Sequence, residues 1–308
     1  MRCLYRSPRD KEQIRMNAVG DQDSPSRGIA LMLGGVLLLT INDATAKLLT
    51  DSYSVPQIIS LRGITTLLPL ALIIYFRGGL PAFKPFRIRN HALRALCFTG
   101  STFFLISALS LMPFADVVGL TFTQPLIIAG LAPLLLSEHV SWRRWCAILA
   151  GFAGVIIIAR PTPDLFQWAA FLAIGTAFWG ALRDMVTRRI SAEETSELIL
   201  FYSTAAVMTV GALGAFIFPW HMPNTEDWAL FALLGVLNGG AHYMMIKAHL
   251  WAEASVVAPF RYSALIWAFI LGYFLWGDIP DMWLLSGSAL VVASGLYILL
   301  HEASASKS

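Results

Sequence analysis

Charge is what this chain has least of. Asp, Glu, Lys and Arg make up 13% of its 308 residues, where a soluble domain carries roughly 25%. Cysteine is scarce too. Cys3, Cys97 and Cys146 are the only three, too few and too scattered for a disulfide scaffold or a metal-ligand spacing. No phosphate-cradling glycine loop occurs, which argues against an ATPase. No His, Cys, Asp and Glu cluster has metal spacing, and no serine or cysteine stands near a base as an activated nucleophile does. Neither an enzyme nor a bound metal or cofactor is therefore expected. The basic residues of the N-terminal stretch are interrupted by Asp10, Glu12, Asp21 and Asp23, so nucleic acid is not an expected partner.

What the chain has instead is apolar residues, 57% of the total with a mean hydropathy of +0.66. A helix needs ~20 mostly apolar residues to cross hydrocarbon. Ten such blocks can be marked, at 28–49, 56–76, 91–112, 116–136, 142–159, 165–187, 196–218, 227–249, 254–276 and 281–300. Backbone in lipid must satisfy its own hydrogen bonds, and no period-two barrel pattern is present, so the spans are helices. The expected fold is an all-α membrane protein of ten transmembrane helices. Its joints are short and hold turn residues, as at Asp51 to Pro56, Arg160 to Asp164 and Gly277 to Pro280. Residues 1–27 carry six Lys/Arg and no apolar run. They read as a polar cytoplasmic tail rather than a cleavable signal, with residues 302–308 as a second short tail.

Basic residues set the orientation. With the N-terminus in the cytoplasm, 18 of the 22 Lys/Arg fall on that side, and only Lys47, Arg62, Arg160 and Arg261 do not. Such a bias places both termini in the cytoplasm and requires an even number of spans. The tryptophans fit the same frame. Trp168, Trp220, Trp228, Trp276 and Trp283 lie at the outer boundary, and Trp142, Trp145 and Trp251 at the inner one. That leaves Trp179 and Trp267 at membrane depth.

The chain also repeats itself. At a shift of 139, Ala115, Val117 and Val118 meet Ala254, Val256 and Val257, and Leu126, Ile127 and Ala129 meet Leu265, Ile266 and Ala268. At a shift of 141, Asp43 and Lys47 meet Asp184 and Arg188, and Gly154 meets Gly295. The units are 28–160 and 161–301, with five spans each. Five is odd, so the copies must be inverted relative to one another. Inverted repeats are the build of secondary transporters, with the solute site near the midplane between the halves.

These residues resemble the drug/metabolite transporter superfamily in its ten-helix form with two EamA-like repeats. The likeness covers nearly all of 28–300. It rests on the Ala-x-Val-Val openings of the fourth and ninth spans, on Pro125, on the Leu-Ser-Glu close ending at Glu138, and on Gly151 to Gly154. The second unit departs from it, with Asp278 for Glu138 and Ser263 and Ala264 for Gln124 and Pro125. The resemblance implies a basket around a central cavity lined mainly by spans 1, 3, 4, 6, 8 and 9. Spans 5 and 10 would be peripheral and free to form a homodimer. Members move amino acids, S-adenosylmethionine, riboflavin and drugs, some inward and some outward.

A charge in hydrocarbon costs ~2.5–3.5 kcal/mol on insertion scales and is kept where it is paired, wet or used. Asp43 and Arg62 each lie about six residues from the outer boundary, so both sit roughly 9 Å deep at 1.5 Å per residue. They can face each other across the hairpin, with Lys47 one turn from Asp43 as a second partner. The alternatives are a substrate-linked cluster and a structural ion pair. Arg62 and Lys47 lean to the second, and Asp43 to the first. Arg261 has no charged counterpart in the other unit and is the leading candidate for a substrate anion, carbonyl or ring, against snorkelling to the headgroups. Arg183 and Asp184 read as a helix-end pair. Asn42, Gln124 and Tyr262 offer polar edges. His242 offers a titrating ring or a packing one. Trp179 and Trp267 offer stacking surfaces or ordinary packing. Pro125 removes a backbone hydrogen bond near the midplane.

The expected function is a secondary transporter in a bacterial inner membrane, moving a small planar or zwitterionic nutrient such as riboflavin inward by alternating access. An exporter of amino acids or toxic amphiphiles is the alternative in the same class. A membrane-embedded enzyme or a non-transporting scaffold is the alternative outside it.

Overall fold

A computed structural model describes residues 25–79, 88–136, 142–160, 168–190, 194–252 and 254–305. The two polar tails, apart from their span-proximal ends, and Glu138 lie outside the described residues. Those described are helical, with no strand among them. Ten passes follow the apolar blocks: Pro25–Leu49, Val55–Gly78, Ile88–Leu111, Phe114–Leu136 in two pieces, Trp142–Ala159, Trp168–Ile190, Ser196–Leu213, Thr225–Trp251, Ala254–Trp276 in three pieces, and Met282–Ala305. Among the described residues, eight helices are long and apolar enough to cross a membrane on those grounds alone. The fifth is shorter, and the eighth carries Glu226, Asp227, His242 and Lys247 over its 27 residues.

Local chemistry sets the helix ends. Asn224 caps the eighth span by accepting from Asp227 N at 2.7 Å, and Thr195 caps the seventh through Leu198 N. Both satisfy donors that a helix start leaves free. Gly277 ends the ninth span with φ +72, a left-handed conformation that glycine adopts without strain. The fourth span breaks at Phe122, where the backbone tightens to an i−3 bond to Gly119 O. Pro125 sits in the first turn after the break, where its missing N–H costs least. In the ninth span a short 3₁₀ stretch, Ala258–Tyr262, follows Ala254–Val257 and occupies the matching place.

The pairing of helices carries the duplication into three dimensions. Span 1 packs on span 8, and span 6 on span 3; span 4 packs on span 6, and span 9 on span 1; span 3 packs on span 7, and span 8 on span 2. Exchanging the two units converts each of these pairs into the other. Spans 2 and 7 pair with each other, as do spans 5 and 10. This is the arrangement of an inverted repeat about a pseudo-twofold axis in the membrane plane. Small residues let the seams close. A Cβ on Gly154 would fall 2.7 Å from Gly287 O across the 5–10 seam, and one on Gly235 would fall 2.6 Å from Thr65 O, the carbonyl that Pro69 leaves unbonded. Buried side chains run from Leu49 and Tyr53 through Leu109, Phe114 and Phe231. Phe76, Trp168 and Phe274 project outward, as lipid-facing residues do.

Pro25 and Ala305 lie at one end of the bundle, called here the near end. There Gly28 packs on Ala252, and Gly295 on Tyr262. The opposite, far end is tied across the two repeats. Tyr53 Oη donates to Asp227 Oδ2 at 2.5 Å. Gln57 exchanges two hydrogen bonds with the backbone of His221. Arg160 pairs with Asp281.

Candidate functional site

Between the repeats lies a cavity of about 370 Å³, within the usual size range of small-molecule sites. Its wall comes from spans 1, 3, 4, 6, 8, 9 and 10. Span 10, read from sequence as peripheral, supplies Gly295, Ile298 and Leu299. The cavity runs through the middle of the bundle, from Asp43, Leu109 and Val118 in its far half to Ile298 and Leu299 in its near half. Most of the wall is apolar, including Val36, Leu39, Leu105, Val118 and Ile128.

Four charged side chains, Asp43, Arg183, Asp184 and Arg261, converge on this lining together with the amide of Gln124. Asp184 is held from two sides. Arg183 donates to its Oδ1 from Nε at 2.9 Å and approaches the same oxygen with Nη2 at 2.8 Å. Gln124, from the other repeat, donates Nε2 to its Oδ2 at 2.6 Å. Gln124 can lie there because position 180 is glycine, where a Cβ would fall 2.7 Å from Gln124 Oε1. Such charge-assisted bonds are short and strong. Asp43 has no such partners: no hydrogen bond or ion pair reaches its carboxylate among the described residues. Arg261 lies exposed on the lining of the same cavity, likewise without an acceptor among them.

The aromatic surface of the cavity is the pair Phe122 and Tyr262, with ring centroids 4.9 Å apart and planes tilted by 31°. Both sit at the helix breaks of spans 4 and 9. The hydroxyl end of Tyr262 reaches span 10 only because residue 295 is glycine: a Cβ there would fall 1.8 Å from Tyr262 Oη. Pro125 and Thr121 complete the wall beside the ring pair.

Of the sequence candidates, the structure therefore brings together Asp43, Gln124, Arg261 and Tyr262. It separates the others. Asn42 is fully buried and donates Nδ2 to Leu234 O at 2.8 Å, clamping span 1 to span 8. Trp179 is away from the cavity, its indole laid on Gly100, where a Cβ would come within 2.7 Å of the ring. Trp267 is not among the lining residues; it packs with Met32 and with the wall residue Val36 in a small second cluster. His242 Nδ1 lies 2.8 Å from Asn238 O, one turn back on its own helix, and is not part of the lining. Helix rotation decides these cases: one residue turns a side chain by about 100°.

The expected contact between Asp43 and Arg62 is corrected as well. Arg62 donates Nη2 to Asn238 Oδ1 at 3.2 Å and leaves Nη1 buried without a partner. It acts on Asp43 as a nearby positive charge, but no contact joins them. Lys47 turns away from Asp43. Its Nζ donates to Leu109 O at 2.8 Å and Met112 O at 2.6 Å, and lies 5.5 Å from the Trp276 ring centroid. It caps the far end of span 3, where free carbonyls attract a cation.

Sequence reading undervalued Arg183 and Asp184 as a helix-end pair. The signal was present in the match of Asp43 with Asp184, since the pseudo-twofold carries one cavity acid onto the other. Thr40, Ser101 and Thr176 also line the wall, and nothing in their sequence context marks them out. Arg94, one of the 18 Lys/Arg counted on the cytoplasmic side, is buried. It donates Nε to Thr187 Oγ1 at 2.8 Å and Nη1 to Ile199 O at 3.2 Å, tying spans 3, 6 and 7.

Two inverted five-helix units around a solute-sized chamber define a carrier architecture. The EamA-like transporter family matches twice, over residues 26–160 and 167–300, and the chain belongs to that family. An S-adenosylmethionine uptake transporter of Rickettsia bellii is 28% identical over 281 residues, spanning 90% of this chain and 94% of the relative. A riboflavin transporter of Vibrio cholerae is 28% identical over 294 residues, spanning 92% and 96%. A riboflavin transporter of Rhizobium johnstonii is 30% identical over 227 residues, spanning 73% and 75%. A solved crystal structure superposes with a TM-score of 0.61 at 19% identity, covering 90% of this chain and 98% of the other, a likeness of fold alone. The protein is thus a multi-pass membrane transporter of small molecules.

Proposed function

We propose that this protein imports a small, ring-bearing metabolite across a bacterial inner membrane by alternating access. The observation that carries the reading is the cavity itself, which joins the stacked Phe122 and Tyr262 rings to Asp43 and Arg261, two charges without contacts to each other or to a fixed partner. An apolar wall with a few convergent polar groups suits a flat solute with polar edges. Stacking falls to Phe122 and Tyr262 rather than to the two tryptophans. The near end faces the cytoplasm on the bias of Lys/Arg, and the tied far end closes the chamber towards the outside. Import then requires the far-end contacts of Tyr53, Gln57 and Arg160 to part as the repeats rock. The fifth and tenth spans remain available as a dimer seam along their outward faces.

Riboflavin is the first compound to test, in keeping with the relatives in Vibrio and Rhizobium. A riboflavin auxotroph expressing the protein should grow at riboflavin levels that do not support the parent strain. Equal growth of the two strains would reject riboflavin. A second reading, S-adenosylmethionine, has its own supporting observation: Asp43 lacks a contacting cation, and a positively charged solute would supply one. Radiolabelled uptake of each compound into the same cells separates the two readings. Export of amphiphiles would show instead as raised resistance without uptake of either.

A further inference from the structure

The charges of the chamber are sorted by depth. Asp43 stands six residues from Leu49, the far end of span 1, and Arg261 fifteen residues from Trp276, the far end of span 9. Those two ends are neighbours, since Lys47 Nζ lies 5.5 Å from the Trp276 ring centroid. At 1.5 Å per residue Asp43 is ~9 Å inward from them and Arg261 ~22 Å, a separation along the bundle on the order of 10 Å. Arg183 stands fifteen residues from Trp168, the far end of span 6, and so shares the depth of Arg261. Its charge is matched there by Asp184, whose other oxygen is taken by Gln124. Arg62, whose charge acts on Asp43, is outside the lining and turned to Asn238 Oδ1. Among the described residues, the cavity therefore presents one carboxylate without a bonded partner in its far half and one such guanidinium in its near half. Charges at membrane depth are kept where they are paired, wet or used, and these two are not paired.

Between the two depths the described wall carries no charge. Val36, Leu39 and Phe122 are apolar, and the hydroxyls of Thr40, Ser101 and Thr176 already donate to Val36 O, Thr176 O and Leu172 O. The stacked rings belong to the Arg261 end, because Tyr262 follows it in the 3₁₀ stretch and is set against Gly295.

We propose that the chamber takes an elongated solute with two unlike poles, held in one orientation. A protonated amine or N–H edge meets Asp43, towards the outside. A carboxylate or carbonyl edge meets Arg261, towards the cytoplasm, with the solute's ring on Phe122 and Tyr262. A compound whose two poles share one carbon, as in an α-amino acid without a polar side chain, is too short to reach both charges. A compound with a single pole leaves the other charge uncompensated. This rests on the carrier reading above and adds to it the length, the polarity and the direction of the bound solute.

Simple probes measure the poles and the distance between them. Glycine, ε-aminocaproate and ω-aminocaprylate carry the same two poles at increasing separation, and hexylamine and caproate carry one pole each. Thermal unfolding of the full-length protein in lipid nanodiscs, titrated with each probe, reads the binding. One of the two longer amino acids should bind about tenfold or more tighter than glycine, hexylamine or caproate, the factor that one charge-assisted contact implies. Asp43→Asn should weaken hexylamine more than caproate, and Arg261→Gln should weaken caproate more than hexylamine. Equal binding of short and long two-pole probes overturns the inference, as does equal binding of two-pole and one-pole probes. The same order of losses in both variants overturns the assignment of the poles. If a variant fails to fold, the probe series on the unaltered protein decides alone. Uptake is judged separately: import of riboflavin or S-adenosylmethionine without a preference for long two-pole probes keeps the carrier reading and rejects this inference, whereas that preference without import of either keeps the inference and rejects the two named substrates.

Discussion

Replacing Lys47 by methionine tests whether this half-buried cation belongs to the far-end closure or to Asp43. Methionine keeps the length and the apolar stem but removes the ammonium. Two hydrogen bonds would be lost, at 2.8 Å to Leu109 O and 2.6 Å to Met112 O, and with them the contact 5.5 Å from the Trp276 centroid. Hydrogen bonds to a charged group contribute about 1.5–3 kcal/mol each, and the ring contact adds about 0.5–2 kcal/mol. The cost of desolvating the ammonium in the native state is recovered in the variant and offsets part of this. The expected net loss is about 2–3 kcal/mol, set by the carbonyls left without their donor. Thermal unfolding in detergent, with the same lipid content for each protein, reads the difference. Asp43→Asn supplies the control. Lys47 and Asp43 share no contact, so the double variant should equal the sum of the singles within about 0.5 kcal/mol. A coupling above about 1 kcal/mol in that cycle would mean that the two charges act as a pair, and the structural assignment of Lys47 would be wrong.

Other consequences can be measured directly. Arg261→Ala should reduce uptake about tenfold or more with expression and melting temperature unchanged, since the guanidinium holds no internal partner whose loss would unfold the protein; a parallel drop in folded protein would contradict this. Trp267→Phe should leave uptake within about twofold of the unaltered protein, because the indole packs outside the cavity and its Nε1 has no acceptor to lose. Abolished transport in a stable Trp267→Phe protein would return the indole to the site. The hydrogen bond to Asp227, followed by burial, holds the Tyr53 hydroxyl above its ordinary value of 10.0. A raised value favours the folded state at lower pH, so this contribution is complete below pH about 10 and is lost as the pH climbs through the folded-state value. Melting curves from pH 8 upward should therefore fall more steeply for the unaltered protein than for Tyr53→Phe, and parallel curves would refute the linkage.

The order of helices and their inversion were legible because both rest on one-dimensional quantities. Hydrocarbon thickness sets the run length of apolar residues, and the alternation of Lys/Arg between joints sets the parity. The internal match of Asp43 with Asp184 was equally visible along the chain. Which side chains meet in the cavity was legible only in part. Arg261, Gln124 and Tyr262 lie near the breaks of spans 4 and 9, and Pro125 announces the first of these. Asn42 was misplaced because it is one residue from Asp43, and a single helical step turns it from the chamber to span 8. Trp179 was misplaced for a comparable reason: Gly100, far away in sequence, is what draws the indole against span 3.

The chain itself thus determined that it crosses the bilayer as two inverted five-helix units, because length, polarity and repetition are properties of a string. Only the tertiary structure decided that Lys47 serves the carbonyls of span 3, that Arg62 turns to Asn238, and that Gln124 closes Asp184 while Asp43 keeps no bonded partner among the described residues. Those outcomes depend on helix rotation and on the reach of side chains across neighbours more than fifty residues apart in the chain, and hydropathy has no information about either.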